Sequence, residues 1–279
     1  MENTFPSLGT FLRHLTTTRQ GETWFRYANS SSLDSWATLP SLTETMQQAT
    51  SLQGLEPVIA NIQAASAALQ AQIQAPQTLR RAPVAHRSRG VLNIHRVLRG
   101  SSKPYQTRTP IIVPAYGRIL TLVVPGSFHA LVTDTQILYS NVATMALADL
   151  LQDAGYHVTV RILTVSRGLF QYQVGQSPEP STSTWVTLRD PSHAWSIQAA
   201  AIIAQPTFLR RLMFRYWESL TPQYGPLTSY YGSAVSDKTQ FAAFAGSDRS
   251  LVLGAGPWDN LQTLAQARDW VRATLNTLT

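Results

Sequence analysis

The chain has 279 residues, enough for one large α/β domain or two small ones with a sizeable core, and its 44% apolar content excludes wholesale disorder. Charged residues make up only 13%, yet the formal net charge is +7. There is no cysteine, which excludes a structural disulfide, a thiolate metal site and a cysteine nucleophile.

The first forty residues read as irregular with short helices, holding an aromatic cluster at Trp24, Phe25 and Tyr27 and apolar Leu33, Trp36 and Leu39 at near-helical spacing. Ser41-Leu42-Thr43-Glu44 is a capping-box pattern, because hydroxyl and carboxylate can each satisfy an orphan amide at a helix start. It opens a helix with Leu42, Met46, Ala49 and Leu52 on one face, ending at Gly54. A second helix begins near Pro57, with Val58, Ile62, Leu69 and Ile73 at roughly coiled-coil spacing, and ends before Pro76. The pair is an α-hairpin with an Ala-rich seam, which either packs on the domain or mates with a partner helix.

The next stretch holds the charge. Between Pro57 and Thr133 stand nine basic residues and no Asp or Glu: Arg80, Arg81, Arg87, Arg89, Arg96, Arg99, Lys103, Arg108 and Arg118. The other 13 of the 22 basic residues face 15 acidic ones, so the whole positive excess is local. Such an excess requires anionic company: nucleic acid, an acidic partner or a membrane surface. Arg outnumbers Lys twenty to two, which suits bidentate contacts to phosphate or carboxylate and fits the coding habits of a GC-rich genome equally. Pro83, Gly90, Gly100 and Pro104 break this region, and Val91 to Leu98 reads as a short helix or strand. It carries no aromatic ladder, helix-turn-helix or zinc finger.

Regular α/β structure starts at Arg118. Ile119 to Val124 is an apolar run closed by Pro125-Gly126, as expected of a buried strand. Ser140 caps a helix from Asn141 to Ala154 with Gly155 as its stop, and His157 to Val165 is the next strand. Strand, helix and strand within about fifty residues make a βαβ unit and imply a parallel sheet. After a loop at Ser166 to Ser183 come a third strand at Trp185 to Leu188 and helices at Trp195 to Ala204 and Pro206 to Leu220. Gly225 to Ser247 reads as loop, Leu251 to Leu253 as a last strand, and Asn260 to about Leu278 as a closing helix.

The fold class expected is thus α/β, a mostly parallel sheet with helices on both faces, preceded by a helical, basic N-terminal region. The boundaries are 1–76 for the helical part, 77–117 for a basic extended segment and 118–279 for the α/β domain.

This order resembles the von Willebrand factor A-type (VWA) fold, and more narrowly the VWA-like proteins of phages and other mobile elements, some of which sit beside a MoxR-type or cobaltochelatase-type AAA+ ATPase. The residues that carry the likeness are Ile119 to Val124, the helix Met145 to Tyr156 leading into Val158 to Val165, the stretch Gln205 to Phe214, and Pro257-Trp258 before Ala265 to Val271. It covers about 160 of the 279 residues. The family's metal site follows the first strand as Asp-x-Ser-x-Ser. Here Pro125-Gly126-Ser127-Phe128-His129-Ala130-Leu131 stands instead, without a carboxylate, and a hard cation needs one. No metal or other cofactor is therefore expected.

Other chemistry is thin. Ser127, His129 and Asp134 combine into a nucleophile, base and orienter only by residue type, since the flanking glycines of a nucleophile elbow are missing. Gly254-Ala255-Gly256-Pro257 lacks a third glycine, and Pro257 removes an amide a phosphate would use, so a tight turn is expected. The six histidines show no metal-ligand spacing. Arg210, Arg211 and Arg215 share a helix with Phe208, Leu212 and Trp217. It is either an amphipathic helix with Arg stems over apolar surface or a partner-facing patch.

A non-enzymatic interaction or structural protein of a phage or mobile element follows as the expectation. It would contact partner chains or nucleic acid through Arg80, Arg81, Arg87, Arg89, Arg96, Arg99, Lys103 and Arg108, and partner chains through Arg210, Arg211 and Arg215. An adaptor for an AAA+ ATPase and a sequence-independent nucleic-acid binder are the alternatives. With no apolar run near 18 residues and no basic start followed by an apolar stretch, neither membrane insertion nor a signal peptide is expected. The place expected is a cytoplasm or a virion assembled in one.

Overall fold

The computed structural model describes residues 2–18, 42–51, 55–73, 78–86, 91–92, 97–99, 101–103, 105–113, 119–126, 128, 132–166, 182–190, 197–205, 208–220, 235, 237–246, 248 and 250–278. The aromatic cluster at 24–27, Leu33 to Leu39 and the Ser41 cap lie outside them.

Among the described residues, eight strands form two sheets. The larger contains β1 (Glu2–Phe5), β5 (Ile119–Pro125), β6 (His157–Ser166), β7 (Thr182–Arg189) and β8 (Leu251–Leu253), in the order β1-β7-β6-β5-β8. β5 runs parallel to β6 and β8, as the βαβ reading requires, while β7 is antiparallel to β6 and β1 pairs in parallel with β7. β5 and β6 are apolar on both sides because both are covered. Leu122, Val124, Val160 and Ile162 lie in the main core, and Val123, Leu163 and Val165 in a smaller one on the opposite face. Each such side chain removed from water contributes about 1.5–3 kcal/mol.

Helices cover the main-core face. α1 spans Leu8–Thr17, α2 Leu42–Ser51, α3 Glu56–Gln70, α4 Asp134–Asp153 and α5 Ile197–Ile203. A π-helical stretch, Phe208–Met213, runs into α6 (Phe214–Ser219), α7 is Lys238–Ala245, and α8 is Leu264–Leu278 after a 3-10 turn at Pro257–Asp259. α4 is the central brace, with α3 and α8 packed on it. Its interior positions are buried almost all round, from Ile137 to Leu151. α7 lies on the opposite face, placing Phe241 and Ala245 in the smaller core beside Trp185. On that face the Arg161 guanidinium stacks 4.4 Å from the Trp185 ring centre. Burial there pushes the arginine's pKa below its usual value, against the pull of Glu2.

Several expected elements shift. α4 starts at Asp134 rather than Asn141, because Thr133 and Gln136 form the capping box: the Gln136 N–H donates to Thr133 Oγ1 and the Thr133 N–H to Gln136 Oε1. Ser140 is not a cap but a buried interior residue. The stretch read as loop contains α7, started by Asp237, whose carboxylate accepts the Gln240 N–H. The closing helix begins at Leu264, four residues late, because Asn260 adopts a left-handed conformation (φ 48°) after the 3-10 turn.

The first residues also differ from their irregular reading. β1 is an edge strand of the main sheet, and Leu8, Phe11, Leu12 and Leu15 of α1 are buried in the main core. The α2–α3 pair packs on the domain, with Leu55, Ile62 and Leu69 in that same core. Residues before the basic segment and residues after it thus share one hydrophobic cluster. No described helix is long and apolar enough to cross a membrane.

Candidate nucleic-acid interface

The basic segment folds as a second sheet: β2 (Thr78–His86), β3 (Val91–Leu92) and β4 (Tyr105–Val113), antiparallel in the order β2-β4-β3. It is mainly a two-stranded ribbon, since all nine residues of β2 pair with β4 from Thr78↔Val113 to His86↔Tyr105, whereas β3 pairs only with Gln106 and Tyr105. Pro83, which reads as a break, sits inside β2, and Pro110 inside β4. An edge strand tolerates proline where its missing N–H would point away from the partner, and β2 is an edge.

Register fixes where the charges lie. Alternation along a strand puts position 80 on one face of the ribbon and positions 81 and 108 on the other. Arg81 lies opposite Pro110 and Arg108 opposite Pro83, so these two arginine positions are diagonal neighbours. The chain enters and leaves the ribbon at Thr78 and Val113, so His86, Tyr105 and the short β3 lie at the far end. At ~3.4 Å per residue, nine residues separate the two ends by nearly 30 Å. Between β3 and β4, strands that meet at the far end, stand Arg99 and Lys103, both exposed, together with exposed Val97 (44%) and Leu98 (78%). Arg87, Arg89 and Arg96, like Arg118, lie outside the described residues.

The second candidate patch has a buried arginine at its centre. Arg211, in the π-helical stretch, is fully buried (0% exposed), and Arg215 is half-buried, donating from Nε to the Leu15 carbonyl at 3.0 Å. The helix is apolar around these residues, with Phe208, Leu212, Met213, Tyr216 and Trp217 all in the core, so burial overrules the partner-facing reading of Arg211. The backbone of Arg210 belongs to the same stretch. Another arginine the sequence did not single out, Arg189, is buried and paired with Asp149 at 3.3 Å.

At the C-terminal end of the parallel strands, where α/β sheets place ligands, the structure shows a buried polar row. Asn3, Thr184 and Thr164 are register neighbours across β1, β7 and β6, and Asn3 Nδ2, Thr184 Oγ1 and Thr164 Oγ1 have no hydrogen-bond partner among the described residues. The backbone of Gly126 closes over this row, since a Cβ there would collide with Ile162 and with Thr164 Oγ1. The row is packed shut on that side rather than cradled. Ser127 and His129 lie outside the described residues. Among those described, no three His, Cys, Asp or Glu side chains converge.

The Gly254–Pro257 stretch is a turn whose amides are all engaged. The Gly254 N–H donates to the Val123 carbonyl at 2.8 Å, the Ala255 N–H to Thr144 Oγ1 at 2.9 Å and the Gly256 N–H to Asp259 Oδ2 at 2.9 Å. No donor remains there for a phosphate, which leaves the ribbon as the candidate anion site with the most cations.

Sequence reasoning found the ribbon's charge but not its apolar end. The signal was present in the stretch Arg96-Val97-Leu98-Arg99, two apolar residues flanked by cations. Compared with known proteins, the chain matches the family model Domain of unknown function (DUF7192) over residues 1–277. No curated protein and no solved structure matches it.

Proposed function

We propose, for a chain that belongs to the family Domain of unknown function (DUF7192), a non-enzymatic role in which an α/β scaffold holds nucleic acid with its basic ribbon. The observation that carries this is the ribbon's charge: Arg80, Arg81, Arg108, Arg99 and Lys103 lie along and beyond paired strands in a region without one acidic residue. The major groove of duplex DNA, about 12 Å wide, admits a two-stranded ribbon. Positions on both faces would then meet phosphates on both walls, whereas an acidic protein surface would need cations on one face only.

The scaffold supports a VWA-like reading. Counted from β5, four adjacent strands stand in the order third, second, first, fourth, which is the doubly wound arrangement. A scaffold of this kind in phages and mobile elements serves protein contacts, and an arm that grips nucleic acid suits particle assembly on a genome.

The test is fluorescence anisotropy of a labelled thirty-base-pair duplex of arbitrary sequence, titrated with the full chain at several salt concentrations. Binding that weakens steeply with salt and is indifferent to sequence is the expected result. No binding at low salt overturns the reading.

A further inference from the structure

We propose that Leu98, with Val97 beside it, is an apolar wedge that enters between base pairs of a duplex and kinks it, a role that rests on the ribbon's holding nucleic acid. Three observations support it. Leu98 is 78% exposed and Val97 44% exposed, two of the three large apolar side chains standing in water among the described residues. They form a helical turn between β3 and β4, strands that meet at the end of the ribbon farthest from its attachment to the main sheet. Exposed Arg99 follows them directly, Lys103 is close along the chain, and no carboxylate occurs anywhere in the segment.

An exposed leucine costs solubility without adding stability, so its place asks for a partner. Proteins that bend DNA insert such side chains between base steps, unstacking one step while flanking cations hold the phosphates on either side. The ribbon supplies that arrangement: shaft cations to hold the backbone and an apolar end to part the stack. A bilayer surface is the competing occupant, since leucine amid cations also suits an anionic membrane. That surface would be met by the end alone and leaves Arg80, Arg81 and Arg108, one to two dozen ångströms up the shaft, without a role. The duplex engages both parts.

The experiment uses the full chain and a thirty-base-pair duplex carrying a donor and an acceptor dye at its two ends. Anisotropy reads binding and energy transfer reads bending in the same samples. Wild type is expected to bind and to raise energy transfer. Leu98→Ala should return the transfer to that of the free duplex while weakening affinity only roughly three- to tenfold, because part of the leucine's transfer energy is consumed in unstacking. Its salt slope should match wild type, since no phosphate contact is lost. Leu98→Ile should restore bending. Circular dichroism checks that each variant keeps its fold, which an exposed position does not threaten.

Binding without any rise in transfer, or a rise that Leu98→Ala leaves intact, overturns the wedge and spares the nucleic-acid reading. No binding by wild type overturns both. Salt-dependent association with vesicles of one-third anionic lipid, lost in Leu98→Ala and stronger than duplex binding, overturns the wedge and assigns the end of the ribbon to a membrane surface.

Discussion

Thr144 and Ala255, 111 residues apart, are joined by a buried hydrogen bond: the Ala255 N–H donates to Thr144 Oγ1 at 2.9 Å, while that hydroxyl donates to the Ser140 carbonyl, also at 2.9 Å. The pair ties the turn after β8 to the middle of α4. It also explains Gly254, where an added Cβ would lie 2.9 Å from the Thr144 side chain and 3.2 Å from the Val123 carbonyl. Thr144→Val keeps the shape and deletes the acceptor, leaving a buried amide unpaired. The expected cost is about 1–3 kcal/mol in urea unfolding, with Thr144→Ser close to wild type. Equal stability of the Val and Ser variants would show that the bond is not made.

Gly126 is constrained in the same way on the other side of β5. A Cβ would overlap Ile162 and Thr164, both held in a sheet strand, so the neighbours cannot give way cheaply. Gly126→Ala should cost about 1–3 kcal/mol, the usual penalty of overpacking. An unchanged denaturation midpoint would mean that the turn has room the structure does not show.

Arg189 and Asp149 form a buried ion pair, with the arginine side chain only 4% exposed and the carboxylate 29%. Removing one charge takes this partner from the other, which in buried pairs costs several kcal/mol, reduced here because Asp149 is partly wet. Asp149→Asn should therefore destabilise by about 2 kcal/mol, and Asp149→Asn with Arg189→Met by less than either single change. A double variant as unstable as the sum of the two would mean that the pair is not coupled.

Acid sensitivity has an identifiable source at Asp248. The carboxylate accepts the Ser250 N–H at 2.9 Å, and that bond holds its pKa below the usual carboxylate value. A depressed folded pKa means that the stabilisation is fully present above about pH 4, the ordinary Asp value, and fades as pH falls through the lower folded one. Asp248→Asn should flatten this part of the acid unfolding curve. Curves for variant and wild type that stay parallel between pH 5 and 2 would exclude a role for Asp248.

What the sequence disclosed followed from locality. β5 and β6 were legible because strands covered on both faces read as continuous apolar runs, and α4's apolar half was legible for a similar reason. The start of α4 was hidden because Asp134 to Gln136 are polar, although Thr133 and Gln136 already carried the capping pattern. β1 was illegible: Glu2–Phe5 has no strand signal of its own, and its pairing partner lies some 180 residues away. Pro83 hid the ribbon, since a proline argues against a strand everywhere except at an edge, and β2 is one. Arg211 misled because charge was read as exposure, yet its side chain is fully buried.

The two arginine groups make opposite predictions, and the contrast separates fold from function. Arg215 holds the Leu15 carbonyl and so fastens α6 to α1. Arg215→Ala should lower stability by about 1 kcal/mol and leave duplex binding as it was. Replacing Arg80, Arg81 and Arg108 together with Ala should do the reverse. Each phosphate contact contributes about 0.9 to the slope of log affinity against log salt, so three lost contacts should flatten the slope by nearly 3. The strands should survive, because alanine does not disturb a register in which Leu79, Val84, Ile111 and Ile112 remain. If the triple variant keeps the wild-type slope while Arg99→Ala with Lys103→Ala flattens it, the shaft is only an arm and the contact lies wholly at its end.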